Sequence, residues 1–282
     1  MSNKIWFITG ASRGIGAEIA KAALAAGDRI VATGRDRAGL EKLYASYGER
    51  VLALALDVAS EQQAQAAVAA ALERFDRIDV LVNNAGYGQL GLFEEIEPAD
   101  IERQFATNVF GLMHVTRAVL PAMRRQRAGH VFNLSSIGGV TGFKACAVYS
   151  ATKFAVEGFS ESLAQEVQPF GIHVTVVEPG FFRTDFLDAR SVRYGARRVE
   201  EYHQLSGEMS QAYEAYNHQQ PGDPARLGQA FVTLSRAPNP PLHYAAGSDA
   251  LEYIGGAIER RAAELRQWQA LTLSTDIVAA AA

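Results

Sequence analysis

The stretch TGASRGIG, residues 9–16, decides the fold of this 282-residue chain. It follows the strand-like run KIWFIT (4–9) and carries glycines at positions 10, 14 and 16, where a helix-like segment begins. Glycines at such a turn let the backbone bend tightly and approach a pyrophosphate, whose charge the helix N-terminus stabilises. A generic strand-to-helix turn needs one glycine, so three in register predict a dinucleotide-binding unit.

Strand-like and helix-like segments alternate along the rest of the chain. Apolar or β-branched runs recur at 4–9, 29–33, 51–57, 79–84, 130–136, 172–178 and 242–246. Helix-like stretches lie at 15–26, 37–47, 60–75, 99–126, 149–168 and 225–236. This alternation indicates βαβ units with right-handed crossovers. We therefore predict an α/β fold in one domain, 1–282: a Rossmann-type, doubly wound parallel sheet of about seven strands with helices on both faces.

Two segments break the alternation. Residues 180–223 follow the sixth strand, and 247–282 are predicted to form a C-terminal helix and tail. Ligands of open α/β sheets bind beyond the carboxyl ends of the strands, so we interpret 180–223 as a helical substrate lid. Alternatively, its apolar stripe only packs on its own domain. The stripe comprises Val199, Tyr202, Leu205, Met209, Tyr213 and Tyr216.

Composition excludes several classes of partner. A net charge of −4 gives no electrostatic footprint for nucleic acid or an anionic membrane. No apolar run approaches the roughly 18 residues of a membrane span, and no leader precedes the first strand, so we expect a cytoplasmic protein. Cys146 is the single cysteine, either a packed or a reactive thiol, and the six histidines form no metal-binding motif. We predict no metal site.

The second strand ends in ATGRD (32–36), where cofactor choice is encoded. An acidic side chain at this point binds the ribose 2′-OH of NAD, whereas arginine accommodates the 2′-phosphate of NADP. Here Gly34 takes the acidic position, Arg35 follows it, and Arg13 adds a second cation. This pattern favours NADP(H), although a register shifted by one residue would make Asp36 an NAD-type carboxylate.

The segment AVYSATKF (147–154) places Tyr149 and Lys153 one helical turn apart, on one helix face. A cation about 4 Å from the phenol contributes roughly 4 kcal/mol at an effective dielectric near 20, about three pKa units. The pair therefore predicts a tyrosine whose pKa lies close to working pH, unless the spacing arises by chance.

Further motifs occur in a fixed order. TGASRGIG, LDV (56–58), NNAG (83–86), ATNVFG (106–111), NLSS (133–136), YSATK (149–153) and EPG (178–180) together resemble the short-chain dehydrogenase/reductase family in its single-domain branch. The resemblance implies hydride transfer between a nicotinamide and a carbonyl or alcohol carbon. It assigns the acid/base role to Tyr149, ribose binding and pKa lowering to Lys153, substrate polarisation to Ser136, and a relay water to Asn108. Asn108 alternatively caps or bends its helix.

The implied NADP(H) contacts span the motifs. Thr184, in EPGFFRTD (178–185), is either one of them or an ordinary turn residue. The predicted set is Gly10, Ser12, Arg13, Gly14, Ile15, Gly16, Arg35, Asp57, Val58, Asn84, Ala85, Gly86, Tyr149, Lys153, Pro179, Gly180 and Thr184.

The variable segments indicate the substrate. YGQLGLF (87–93) and GGVTGFKACAV (138–148) are apolar and aromatic, which favours a hydrophobic ketone, aldehyde or secondary alcohol. The lid arginines either meet a substrate carboxylate or form a solvated basic face. They are Arg190, Arg193, Arg197 and Arg198.

The helices near 102–125 and 149–168 are apolar on more than one face, and they pair across a two-fold in relatives, so a homodimer or homotetramer is expected.

Two other functions use the same motifs. A regulator that senses NADP(H) without turnover is expected to lack one of the four active residues, and all four are present. An epimerase or dehydratase is expected to have a different glycine spacing and a larger C-terminal domain. The sequence therefore favours an NADP(H)-dependent carbonyl reductase or alcohol dehydrogenase.

Overall fold

A parallel sheet lies at the centre of the protein, whose computed structural model describes residues 3–188 and 191–277. Seven strands of the described chain form it in the order β3-β2-β1-β4-β6-β7-β9, and β5 pairs with β8 in a separate parallel ribbon. The strands are β1 (Ile5–Ile8), β2 (Arg29–Gly34), β3 (Val51–Ala55), β4 (Val80–Asn83), β5 (Gly88–Leu90), β6 (Gly129–Leu134), β7 (Ile172–Pro179), β8 (Val192–Tyr194) and β9 (His243–Ala246).

Helices cover both faces of this sheet, which confirms the predicted fold class. They are α1 (Gly14–Ala25), α2 (Arg37–Leu43), α3 (Glu61–Phe75), α4 (Pro98–Phe105), α5 (Leu112–Gln126), α6 (Ala147–Val167), α7 (His203–Tyr216), α8 (Pro224–Arg236) and α9 (Ser248–Leu273). None of these helices is long and apolar enough to cross a membrane, as far as the described residues extend.

The core divides into two layers because successive strand residues point to opposite faces. On β1, Phe7 packs with α3, α5 and α6, whereas Trp6 and Ile8 pack with α1, α2 and α8. All three side chains are completely buried. The run IWFI is therefore apolar without alternation, as expected for a strand that is covered on both sides.

Two features depart from the sequence prediction. The helix expected over 99–126 is interrupted by a π-helical segment, Ala106–Gly111, between α4 and α5. The β5–β8 ribbon was not predicted, because Gly88, Gln89 and Leu90 lack the β-branched residues that favour strands.

The insertion after β7 is closed at its base by main-chain hydrogen bonds. Gly222 N donates to Phe181 O (3.0 Å), and Arg183 N donates to Gly222 O (2.9 Å). We call this pairing of residues 181–183 with 222 the neck. Between its two sides lie β8 and α7, so the two ends of the inserted segment lie next to each other.

Candidate active site

A cavity of about 530 Å³ opens at the carboxyl ends of the central strands. Its wall is formed by the turn before α1, the residues after β2, β3 and β4, the first turn of α6, and the segment that follows β7. Parallel strands direct their carboxyl ends to one edge, so motifs that are far apart in sequence meet there.

The glycine turn forms a cradle that only glycine permits. Gly10 and Gly14 have positive φ angles of +66° and +56°. A Cβ on Gly16 would lie 2.4 Å from both Asn84 Nδ2 and Gly10 O. Arg13, the N-cap of α1, makes no side-chain capping bond, so its side chain satisfies none of the first amides of the helix. A close backbone approach beside a helix N-terminus fits a pyrophosphate, so the residues present fit a dinucleotide.

Two arginines flank the end of β2. Arg13 and Arg35 are exposed and line the cavity, and neither side chain makes an ion pair or hydrogen bond within the described part of the chain. Asp36 does not line the cavity. Its Oδ1 accepts a hydrogen bond from Gly39 N (3.0 Å) and thereby caps α2. Asp36, the alternative to Arg35 as the residue that sets cofactor choice, therefore caps α2 and does not face the cavity.

Ser136, Tyr149 and Lys153 meet on the cavity wall. Ser136 follows β6, and its Oγ accepts a hydrogen bond from Gly138 N (3.0 Å). Lys153 Nζ donates to Leu134 O (2.7 Å) and lies 5.7 Å from the centre of the Tyr149 ring. The helical spacing of Tyr149 and Lys153 and the end of β6 therefore build one constellation.

Burial shifts the pKa of the Tyr149 phenol in the direction opposite to the predicted one. Removal from water raises the pKa of Tyr149 to about 12, and a hydrogen bond with Ser136 opposes this rise. Removal from water also lowers the pKa of Lys153 to about 8, although the negative charge of Glu157 raises it. The prediction that Lys153 brings the pKa of Tyr149 near neutrality is therefore wrong for this structure, because desolvation is the largest influence on the phenol and Lys153 is not among the groups that shift it.

Asn108 lies behind the cavity and does not line it. Its Oδ1 accepts from Tyr87 N (3.1 Å), and its Nδ2 donates to Tyr87 O (3.0 Å) and Thr152 Oγ1 (3.2 Å). It belongs to the π-helical segment, a feature that is frequent at functional sites. Its side chain thus fastens the loop after NNAG to α6.

The remaining predicted residues converge on the same cavity. Gly16 is the one predicted cofactor contact that does not line the wall, because it is buried against Asn84. The lining residues are Gly10, Ser12, Arg13, Gly14, Ile15, Arg35, Asp57, Val58, Asn84, Ala85, Gly86, Ser136, Tyr149, Lys153, Pro179, Gly180 and Thr184. Thr184 also accepts a bond from Phe186 N (3.3 Å), which is the turn role that the sequence left open.

The far end of the cavity is apolar, with some polar groups. Arg193 lines it, Arg197 and Arg198 do not, and Arg190 lies outside the described residues. Cys146 Sγ lies 3.0 Å from Tyr213 OH, and burial raises the pKa of the thiol, as befits a packed side chain. The apolar lining comprises Leu90, Phe143, Cys146, Phe181, Phe182, Phe186, Leu187 and Tyr213.

Sequence reasoning missed a cluster of three ionisable side chains next to this site, of which two are buried and one is exposed. Glu157 on α6, Glu178 at the end of β7 and His243 on β9 bring their ligand-type atoms within 4.8 Å of one another. The one local signal was the position of Glu157, four residues after Lys153 and hence on the same helix face.

Comparison with known proteins agrees with this geometry. The family model described as short chain dehydrogenase matches residues 4–194, from β1 to the end of β8. The chain belongs to the short-chain dehydrogenase family. This confirms the resemblance drawn from the motifs.

Relatives match nearly the whole length of this short-chain dehydrogenase. Oxidoreductase BOA17 of Botryotinia fuckeliana is 40% identical over 273 residues, covering 96% of this chain and 99% of that protein. A 3-ketodihydrosphingosine reductase of Bacteroides thetaiotaomicron is 37% identical and covers 88% of this chain and 89% of its own length. A short-chain dehydrogenase from Streptomyces avermitilis, of known crystal structure, is 40% identical with a TM-score of 0.90 over 98% of this chain and 100% of that one.

Two more distant solved structures contain cofactors. Serine dehydrogenase in complex with NADP⁺ is 28% identical, with a TM-score of 0.73 over 85% of this dehydrogenase and 93% of that chain. A 3-ketoacyl-(acyl-carrier-protein) reductase from Brucella melitensis in complex with NADH is 30% identical, with a TM-score of 0.70 over 83% and 91%. The chain is therefore an oxidoreductase of a fold that uses a nicotinamide cofactor.

Proposed function

We propose that this protein is an NADP(H)-dependent carbonyl reductase or secondary alcohol dehydrogenase acting on mostly apolar ketones, aldehydes or alcohols. The observation that carries the proposal is the meeting of Ser136, Tyr149 and Lys153 on the wall of a cavity whose other end is a glycine cradle. The constellation offers an acid, a hydrogen-bond donor and a cation where a carbonyl oxygen would lie next to a bound nicotinamide.

The side chains divide the proton chemistry among them, and the nicotinamide supplies the hydride when bound. Tyr149 holds its proton at neutral pH, since its pKa is raised to about 12, and donates it to the carbonyl oxygen as negative charge develops there. Ser136 donates a second hydrogen bond to that oxygen. Lys153 contributes positive charge below its pKa of about 8 and returns a proton to Tyr149.

The preference for NADP(H) is supported by the charges at the end of β2. Arg13 and Arg35 are free to meet a 2′-phosphate, and Asp36 caps α2 instead of facing the cavity. The serine dehydrogenase relative is known with NADP⁺ and the ketoacyl reductase with NADH, so relatives alone leave both cofactors open.

The apolar end of the cavity supports the proposed class of substrate. We also propose that residues 180–223 form a lid over this end, within a single domain. Phe181, Phe186 and Tyr213 belong to this segment and line the wall. The apolar stripe between Val199 and Tyr216 is half-buried along its length, and Tyr213 is its one residue on the cavity wall. The other stripe residues therefore pack on the domain itself. A long-chain ketone fits such a lining, as the name of the 3-ketodihydrosphingosine reductase relative suggests.

We also propose a homodimer or homotetramer. Phe110 in the π-helical segment and Phe154 on α6 are 51% and 42% exposed. Aromatic side chains exposed on two neighbouring helices are typical of an interface between copies.

The test is the initial rate of NADPH and NADH oxidation over a panel of apolar ketones, aldehydes and diketones, with Tyr149→Phe measured in parallel. We expect NADPH-selective turnover that falls by about 10²- to 10⁴-fold in the variant, which is the range for loss of a general acid. NADPH binding, followed by fluorescence, should be nearly unchanged because the cradle lies elsewhere.

Two outcomes would contradict the proposal. Turnover in Tyr149→Phe equal to that of the unchanged protein would remove the tyrosine from the chemistry. Tight NADPH binding without oxidation of any compound in the panel would favour the regulator instead.

A further inference from the structure

Three side chains of the metal-ligating types meet next to the cavity without lining it. Glu157 on α6, Glu178 near the end of β7 and His243 on β9 have ligand-type atoms within 4.8 Å of one another. His243 Nδ1 lies 3.0 Å from Glu178 Oε1 and 3.6 Å from Glu157 Oε2. One imidazole nitrogen thus faces a carboxylate oxygen from each of two other elements.

The spacing of these atoms matches that of ligands around one zinc ion. Nitrogen and oxygen ligands lie about 2.0–2.2 Å from Zn²⁺, so two ligands of a tetrahedral ion lie about 3.4 Å from each other. The two distances from His243 Nδ1, 3.0 Å and 3.6 Å, bracket that value. The three side chains therefore need only small movements to hold an ion in common.

Buried polar atoms of this cluster lack hydrogen-bond partners. Glu157 is 7% exposed, and neither of its carboxyl oxygens accepts a hydrogen bond from a described residue. Ser135 is 3% exposed, and its Oγ is in the same situation. The two side chains lie side by side, since a Cβ on Gly139 would be 2.4 Å from Ser135 Oγ and 2.9 Å from Glu157 Oε1. Because unsatisfied buried polar atoms are costly, they point to a ligand at this place.

The two carboxyl groups have no basic side chain to balance them. Within the described chain, no lysine or arginine forms an ion pair with Glu157 or with Glu178, which is 4% exposed. Lys153, one helical turn before Glu157, donates to Leu134 O instead (2.7 Å). Two carboxylates this close in a buried place require a shared proton or a cation between them. A divalent cation would neutralise both.

The second nitrogen of His243 has the partner that is typical of a metal-binding imidazole. Its Nε2 lies 3.7 Å from Glu161 Oε1, and the two side chains are 41% and 54% exposed. A histidine that binds a metal through one nitrogen usually donates the N–H of the other to a carboxylate or a carbonyl, which fixes the tautomer. Glu161 can therefore hold the proton on Nε2, and the exposed imidazole gives an ion access from solvent.

We propose that Glu157, Glu178 and His243 bind a zinc ion, with a solvent molecule as fourth ligand and Glu161 orienting the imidazole. An imidazole nitrogen suits zinc, whereas magnesium prefers oxygen ligands alone. The ion replaces the proton of the hydrogen bond between His243 Nδ1 and Glu178. The sequence predicted no metal site because its histidines form no local motif, and these ligands come from three separate elements.

The role of the ion is structural and does not depend on the proposed reaction. It joins β9, the last strand of the sheet, to α6 and β7. Lys153 on α6 and Pro179 at the end of β7 both line the cavity. A zinc ion at this place would therefore hold together two elements that form the cavity wall.

The first test is calorimetric titration of chelator-treated protein with zinc chloride. We expect one zinc ion per chain. Glu161→Gln should weaken binding about 10- to 100-fold, the range for loss of a residue that orients a ligand. Glu157→Gln and His243→Gln should weaken it further, because each removes a ligand. His243 is 41% exposed, so its variant should fold even if the buried substitution does not.

His218→Gln is the matched control. His218 forms a second group of ligand-type atoms with Asp185 and Asp188, also within 4.8 Å, but none of these three residues is buried. The same substitution there should leave zinc affinity unchanged.

The second test is urea unfolding with and without zinc chloride. An ion that binds the folded chain alone raises the urea midpoint. We expect this rise in the unchanged protein and in His218→Gln, and its loss in Glu157→Gln and His243→Gln. Magnesium chloride at the same concentration should have no effect.

The outcomes decide both the site and its ligands. Metal-free protein that does not bind zinc overturns the proposal, as does zinc affinity that is equal in the unchanged protein, Glu157→Gln and His243→Gln. Zinc binding that is lost in His218→Gln and retained in His243→Gln places the ion at the second group and overturns it too. Magnesium binding as tight as that of zinc overturns the role of His243. None of these measurements uses turnover, so they stand apart from any failure of the proposed function.

Discussion

At the scale of single residues, burial shifts the pKa values of the ionisable groups at the candidate site in opposite directions. Tyr149, with a pKa raised to about 12, keeps its proton throughout the neutral range. Lys153 and Glu157, with values of about 8 and about 7, change charge within that range. Tyr149 is therefore protonated over the whole pH range in which carbonyl reduction would be measured.

Arg35 gives the residue-scale prediction for cofactor choice. Arg35→Ala is expected to weaken NADPH binding roughly 10- to 100-fold, since a charge-assisted hydrogen bond contributes about 1.5–3 kcal/mol. NADH, which lacks the 2′-phosphate, should bind almost as before. Both dissociation constants are measured by titration calorimetry.

Arg37→Ala is the matched control for that measurement. Arg37 is exposed, forms an ion pair with Glu41 (2.7 Å) and does not line the cavity. Equal losses of NADPH and NADH affinity in Arg35→Ala would place the specificity position elsewhere.

Local spacing explains which site residues were predictable. Tyr149 and Lys153 are four positions apart on one helix, and Arg35 follows a recognisable strand end. The contacts of His243 with Glu157 and Glu178 join β9 to α6 and β7, and no sequence pattern relates positions so far apart. The reversed pKa of Tyr149 was missed for a similar reason, because desolvation depends on the tertiary fold.

At the scale of elements, the packing of α8 on α1 holds the glycine cradle in place. Gly228 on α8 lies so close to α1 that a Cβ there would be 2.6 Å from Glu18 O and 3.1 Å from Ile19 N. Because α1 begins directly after the cradle, any shift of α1 also moves the residues that face the cofactor.

Gly228→Ala is therefore expected to lower both stability and cofactor affinity. Overpacking at a backbone contact costs about 1–3 kcal/mol, which urea unfolding would show, and NADPH binding should weaken in parallel. Gly207→Ala is the control, since Gly207 on α7 has nothing within 4 Å of the added Cβ. That variant should be neutral or stabilised by up to about 1 kcal/mol. Equal behaviour of the two variants would contradict this account.

Elements were predictable where burial on two faces leaves a continuous apolar run, as in β1 and β4. The π-helical segment was not, because it keeps the polarity pattern of the surrounding helix. Neither was the β5–β8 ribbon, whose strands have three residues each. Such short strands depend on the contact that they make with each other more than on their own composition.

At the scale of the whole molecule, a buried histidine makes stability sensitive to acid. His130 is 4% exposed, and burial lowers its pKa to about 3. Its Nε2 lies 2.9 Å from Thr175 Oγ1, whose own hydrogen is donated to Pro241 O. The neutral ring therefore donates to Thr175. Because the unfolded chain protonates near pH 6.5, stability falls as the pH decreases below that value.

His130→Gln removes this dependence. Between pH 6.5 and 5, protonation of His130 in the unfolded chain should lower the free energy of unfolding of the unchanged protein by about 2 kcal/mol. The difference in this free energy between the unchanged protein and His130→Gln should therefore narrow by that amount. Glu157 acts in the opposite direction, because its raised pKa favours the folded state on acidification, but it is common to both. Urea unfolding at several pH values measures the difference, and a gap that is independent of pH would contradict the assignment.

Assembly gives the second prediction at this scale. Phe154→Glu is expected to yield a monomer in light scattering, since it places a charge in the proposed interface on α6. Leu265→Glu, on α9, changes a side chain that is 67% exposed and should leave the assembly intact. The reverse result would locate the interface on α9.

The neck at residues 181–183 and 222 also bears on how such proteins diversify. Because both ends of the intervening segment meet there, its length is not fixed by the sheet, and long insertions between such anchor points cost little loop-closure entropy. We therefore expect that the whole segment can be exchanged between relatives as a unit. Grafting the corresponding segment of a relative between these anchors would change which compounds are accepted, while the groups that move hydride and protons stay as they are.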